Sequence, residues 1–579
     1  MKLLPTLLRV LLLTPIALIW GCAVSPEIPS YTDPTPSPAA AIIAASEDLE
    51  TPIPKDSVYP LMAAEFALRN RDFELGLSLL IEQSLVLTDP EVARRALQLA
   101  EFVNNDRAAL TAAMRLAELD TSDGAAAATA MSLLIRAGLT DRAIAYASQA
   151  RNAGGRINAP ALMQGFEGLS QERQNIIIIG LESIAEAYPN DPDIAIAKAL
   201  LYRQLERYDA AGDALNPVFD ANAYDERGLV LWTQIQIDKA AQEPLKRIRL
   251  AVDMQPDSES LRLQYARLLA SNTQLDLARE QFQILKDISP RNGDYLFSLA
   301  LLEYEQKQFP TAKSLLQALL ALQQRVDEAW YYLGRIEELA DNIAASVEAY
   351  SQVMPSREYI DANRRAASLL LGAEDSQDLA TFFTHARDRN PAHAERLYSL
   401  EAELLKDAQL RSRAMAVFDA GIAAFPDSMA LHYGRAMLRE SQDDIPGMEF
   451  DLRTILNHDP NNATTLNALG YALTNSTNRY QEAAGLIERA LALSPGDAAV
   501  LDSLGWVYFK LDRLSEARQI LVQAYKLLPE PEVAAHLGEV LWALGEQEHA
   551  RRIWLHTLLE DPQNPYVIDV LDRLDVNDI

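Results

Sequence analysis

The chain has 579 residues, and its 52 Lys and Arg stand against 82 Asp and Glu, a formal net charge of −30 at neutral pH. That balance excludes a general binder of nucleic acid or anionic lipid, because both demand a basic surface. An apolar content of 49% excludes disorder along the whole chain, and a single cysteine excludes an intramolecular disulfide, a cysteine zinc cluster and an iron–sulfur site.

Residues 1–21 read as a signal peptide. Lys2 and Arg9 give a positive start, and the apolar stretch from Val10 to Trp20 is too short for a confident membrane span. The junction Leu18-Ile19-Trp20-Gly21-Cys22 resembles a bacterial lipobox. That resemblance implies cleavage before Cys22 and lipidation of its thiol and new amine. Position 23 is Ala rather than the Asp of inner-membrane retention, so the resemblance implies an outer-membrane anchor facing the periplasm of a Gram-negative cell. The lipid on Cys22 is the expected non-protein group; no cofactor and no metal is expected.

Residues 22–58 form a Pro-rich tether, punctuated by Pro26, Pro29, Pro34, Pro36, Pro38, Pro52 and Pro54. In polyproline geometry, at ~3.1 Å per residue, such a tether reaches on the order of 100 Å. Residues 39–50, AAAIIAASEDLE, lack Pro and Gly and predict one short helix inside it. This helix either frays without a role or docks on a partner or a neighbouring copy.

From about Tyr59 the pattern is helix, turn, helix, degenerate over 59–250 and well matched over 251–579. Gly470, Gly505 and Gly538 recur at spacings of 35 and 33, and Ala483, Ala517 and Ala550 at 34 and 33. Pro426, Pro460, Pro495, Pro529 and Pro562 keep the same beat. Gly334 opens an earlier unit together with Leu333 and Tyr350. The order Leu504-Gly505, Tyr508, Ala517, Leu521, Ala524, Pro529 resembles the tetratricopeptide repeat at each anchor. Small residues allow two backbones to approach, with the Gly expected against the Ala that starts the second helix. Pro ends the second helix, since it lacks an N–H and disfavours helix in the residue before it. The predicted fold is therefore all-α, a tetratricopeptide-repeat superhelical solenoid of about 11–15 helix pairs, with breaks in register near 151–180 and 356–400.

Catalytic chemistry is not expected. The seven histidines include no H-E-x-x-H, and they read as surface or capping residues. No nucleophile-elbow or phosphate-loop sequence occurs, and the acidic pairs read as solvated faces. In the repeat family the first helices line a concave wall. The resemblance places Tyr471, Arg335, Trp506, Phe509, Glu539 and Trp542 on it as candidate partner-binding residues, with the aromatic ones either forming a strip or filling the seam between units. The slot after each Gly holds Tyr471, Trp506 and Glu539 rather than Asn, so the carboxylate-clamp mode is not supported.

Tyr59 to Ala67, Asp89 to Ala96 and Asp502 to Val507 resemble a proteobacterial family of outer-membrane lipoproteins of similar length. Its best-understood member partners a carboxyl-terminal processing protease in pseudomonads. The resemblance implies a non-enzymatic adaptor whose partners are a periplasmic serine protease and peptidoglycan hydrolases, with the outer membrane engaged through the lipid and no nucleic acid. The alternative is a structural scaffold for envelope assembly or polysaccharide export.

Overall fold

The computed structural model describes residues 54–372 and 377–576. The signal, Cys22, the helix expected over 39–50 and nearly all of the tether lie outside them. The described residues form 31 α-helices and no strand, as an all-α tetratricopeptide solenoid requires. They divide into two compact units between Gln308 and Phe309, each a stack of antiparallel helix pairs.

Local sequence sets the helix boundaries. The first helix of a pair typically starts at a side-chain cap two residues after a Pro. Asp191, Ser258, Asn292, Ser428, Asn462, Asp497 and Asn564 each accept a bond from a backbone N–H in the first turn. Such a cap stabilises a helix by about 1 kcal/mol. The turn inside most pairs uses a left-handed residue. Gly138 and Gly545 supply it without strain, but Asn104, Glu206, Ala240, Thr273, Lys307, Asp341, Gln409, Asp443 and Asp512 adopt it with φ between 55 and 64°.

In the N-terminal unit the core is rich in alanine: Ala93, Ala96, Ala112, Ala127, Ala130 and Ala147 have no exposed surface. Helix pairs there run Lys55–Arg69 with Phe73–Val86, Pro90–Phe102 with Asp106–Leu119, and Gly124–Arg136 with Thr140–Asn152. Their register breaks after Asn152. Gly154 and Gly165 take positive φ, and two short 3-10 turns, Ala159–Met163 and Phe166–Gly168, replace a regular helix before Gln171–Ala187 begins. Ion pairs join several neighbouring repeats, for example Arg203 to Asp238 at 2.5 Å and Arg227 to Asp193 at 2.7 Å.

In the C-terminal unit the repeat glycines have a different neighbour from the one their spacing suggests. A Cβ at Gly334, Gly470, Gly505 or Gly538 would overlap Tyr350, Ile487, Leu521 or Trp554 respectively. These are the large residues 16 or 17 positions later on the second helix, not the Ala that starts it. Ala483, Ala517 and Ala550 are fully buried on the same second helices, and the Ala483 carbonyl also closes on Gly470. The large side chain thus lies across the glycine of its own pair. The expectation that each Gly lies chiefly against the Ala that starts the second helix is corrected accordingly.

Candidate partner-binding wall

Three consecutive first helices of the C-terminal unit, Ala463–Ser476, Ala498–Lys510 and Pro531–Ala543, carry five of the six candidate residues. Each glycine fixes the rotation of its helix by lying under the second helix. The following residue lies 100° further round and so turns away from that contact.

Trp506 is buried at 6% exposure and fills the seam between units. Its ring stacks on Phe509 at 5.1 Å and on His536 at 4.1 Å, and its Nε1 donates to Asn475 Oδ1 at 2.8 Å. His536 is itself buried, and its Nδ1 bonds Asp502 at 3.0 Å. His432 is buried too, against Asp451 and the Pro426 carbonyl. These two correct the expectation of surface histidines: each has a carboxylate one repeat or one helix away, and that partner offsets the cost of burial.

Tyr471, Phe509 and Trp542 are half-buried. The Tyr471 hydroxyl donates to Glu532, two first helices away. Burial, and then the Glu532 carboxylate, hold that phenol above its ordinary pKa. Trp542 packs on Trp554 at 5.8 Å, with the Arg551 guanidinium 5.4 Å from its ring centre. Glu539 is buried and accepts two bonds from Arg573, both 2.8 Å, so it is committed inside the chain.

Lys510 is the residue that the sequence reading missed. Its amine lies 4.2 Å from the Trp506 ring centre and 5.7 Å from that of Phe509. Among the described residues it forms no ion pair, because the nearby Glu539 is taken by Arg573. Burial holds the amine below its ordinary pKa. Asn475, Asp502 and Lys510 lie four residues from Tyr471 or Trp506, and that helical spacing is the signal that could have found them.

Arg335 belongs to a separate cluster on the helix Val326–Leu339. There Tyr331 donates to Asp361 at 2.6 Å, Tyr350 donates to Glu338, and Arg365 bridges Asp361 and Glu338. A groove of about 380 Å³ beside this network is lined by Glu338, Asp361, Arg364, Arg365, Ser368 and Leu369. No group of three or more His, Cys, Asp or Glu among the described residues is placed to hold a metal ion, and no described helix is long and apolar enough to cross a membrane.

Stacked helix pairs that present a wall of aromatic and charged side chains define a protein-interaction scaffold built from tetratricopeptide repeats. Tetratricopeptide-repeat profiles match residues 297–361, 451–498 and 476–535. The chain is 33% identical over 530 residues, 91% of its own length and 90% of the relative's, to the TPR repeat-containing protein PA4667 of Pseudomonas aeruginosa, and it belongs to that protein's tetratricopeptide-repeat family. Among solved structures it is similar to pilF of Pseudomonas aeruginosa, with 20% identity, 32% of this chain and 86% of that one covered, and a TM-score of 0.28. It is also similar to a thermophilic TPR protein of Thermus thermophilus, with 19% identity, 31% and 96% covered, and a TM-score of 0.28.

Proposed function

We propose that this protein is a non-catalytic adaptor on the periplasmic face of the outer membrane, anchored by lipid on Cys22. It binds a carboxyl-terminal processing serine protease and that protease's peptidoglycan hydrolase substrates, and so limits cleavage of cell-wall cross-links. The observation that best supports partner binding is Lys510 over the rings of Trp506 and Phe509, a desolvated cation on aromatic faces that forms no ion pair among the described residues. Aromatic side chains give an extended polypeptide large contact area at low entropic cost, and Lys510 is matched to a carboxylate on that segment. The resemblance of Tyr59–Ala67, Asp89–Ala96 and Asp502–Val507 to the lipoprotein family supplies the identity of the partners.

The mechanism is effective concentration. A tethered surface that holds protease and substrate at once makes their encounter intramolecular, which raises apparent affinity by about 10²–10⁴ without new catalytic groups. The test is reconstituted proteolysis of a peptidoglycan hydrolase by the protease, with and without the adaptor. Stimulation is expected with the wild-type chain, and Phe509→Ala with Lys510→Met should reduce it about tenfold, the effect of losing roughly 1.4 kcal/mol of binding. Equal cleavage with and without the adaptor removes the adaptor reading. For the anchor, Cys22→Ala should move the protein from the membrane fraction to the soluble periplasm, and continued membrane fractionation would refute the lipobox.

A further inference from the structure

Arg247 lies near the start of the helix Lys246–Met254, a second helix of the N-terminal unit. Its guanidinium is 3.5 Å from the ring centre of Phe219 and 4.9 Å from that of Trp232. The two rings meet edge to face at 6.2 Å. Phe219 is buried, and Trp232 and Arg247 are half-buried. Two glycines make room for the rings. A Cβ at Gly212 would press on Trp232, and one at Gly228 would overlap Val218 and press on Phe219.

The backbone around this cluster departs from the repeat. Second helices elsewhere run unbroken for 14 residues, as in Leu275–Ile288 and Leu514–Leu527. Here the second helix is split into Tyr208–Asp213 and Asn216–Ala221, and Pro217, which lacks an N–H, sits just inside the latter half. That half carries Phe219. The next second helix is shortened too, starting two residues after Pro244.

A guanidinium holds five N–H donors in a planar fork, and a ring face attracts its charge without accepting a conventional hydrogen bond. Arg151 over Tyr188, Arg387 over Tyr398 and Arg513 over Tyr508 each also hold a carboxylate, that of Asp191, Glu401 and Glu516 respectively. Arg247 has two rings and, among the described residues, no hydrogen bond and no ion pair. The first turn of its helix holds no acidic residue. Burial holds the guanidinium below its ordinary pKa, with no carboxylate opposing that shift. The same face of the helix continues as open apolar surface. Leu250 and Met254, three and seven residues on, are 52 and 68% exposed. Cation and apolar pair together span about 10 Å of helix.

We infer that Arg247, Leu250 and Met254 form a docking face for a partner protein, on which Arg247 takes an Asp or Glu side chain flanked by large apolar residues. A chain of net charge −30 repels a polyanion, whereas a single carboxylate meets a fork already held by two rings. The wall around Lys510 belongs to the other unit, so this face is a separate site and stands whatever the partner of that wall. The test uses the mature chain carrying Cys22→Ser, Phe509→Ala and Lys510→Met, which disables the C-terminal wall. Random twelve-residue peptides are displayed on phage, fused through their carboxyl ends so that only side chains carry carboxylates, and selected on that chain. Selected peptides should hold Asp or Glu beside large apolar residues. Adding Arg247→Gln should weaken their binding about tenfold. Adding Leu250→Ser instead, at an exposed position, should weaken it with an unchanged melting temperature. A peptide with Lys in place of its acid should bind only the chain with Arg247→Glu. No enrichment, enrichment without an acid, or equal binding with and without Arg247→Gln overturns the site. A dimer in sedimentation that Arg247→Gln dissociates also overturns it and assigns the face to a second copy.

Discussion

Gly505 shows how little room single positions have. Leu521, fully buried, lies across it. Gly505→Leu should cost about 1–3 kcal/mol by overpacking, read as a lower melting temperature by circular dichroism; an unchanged melting temperature would refute the contact. Ala240 is the reverse case. It holds φ at 55°, a region that costs an L-residue about 1–2 kcal/mol. Ala240→Gly should raise stability by up to about 1 kcal/mol after the entropy of the added glycine is deducted, read as a higher urea midpoint. The repeat anchors were legible in the sequence because each pairs with a residue 16 or 17 places on, inside one hairpin. The pairs of the wall were not. Trp506 with Asn475 and His536 with Asp502 cross from one repeat to the next, where spacing alone names no partner.

At the scale of helices, boundaries were legible where Pro and a polar cap punctuate the chain. They were lost at 153–170, where Gly154, Gly165 and a run of 3-10 turns carry no apolar period. Charge pairs between helices give stability a direction with pH. Arg479, then Arg453, hold the Glu449 carboxylate below its ordinary range, and Arg453, then Arg479, do the same for Glu482. A carboxylate with a depressed folded pKa contributes stability above its unfolded pKa, about 4.3, and loses it as pH falls through the lower folded value. Urea midpoints should therefore drop between about pH 4.5 and 3, and Glu449→Gln should flatten that drop while lowering the neutral plateau. Glu401 works the other way. Burial raises its pKa despite the Arg387 partner at 2.5 Å, so its protonation relieves strain as pH falls through the raised value.

Across the molecule, contacts run mainly from each helix to its neighbours within a unit, and this is why one period in the sequence was enough to state the fold. The candidate wall has no such period. Its geometry appears only when repeats stack, as where the Lys510 amine lies over the Trp506 ring. The bond from Tyr471 to Glu532 breaks the nearest-neighbour rule, because it reaches past the repeat between them. Under mechanical load, an array of independent repeats should extend like a chain of small springs, one repeat of about 34 residues per step. The Tyr471 link ties three of them in parallel with the backbone. Drawn out in optical tweezers, the C-terminal repeats should yield together in one long step at higher force, and Tyr471→Phe should split that step into single-repeat releases. The repeats bridged by Tyr471 would then resist load as one block, while repeats without such a bridge give way singly.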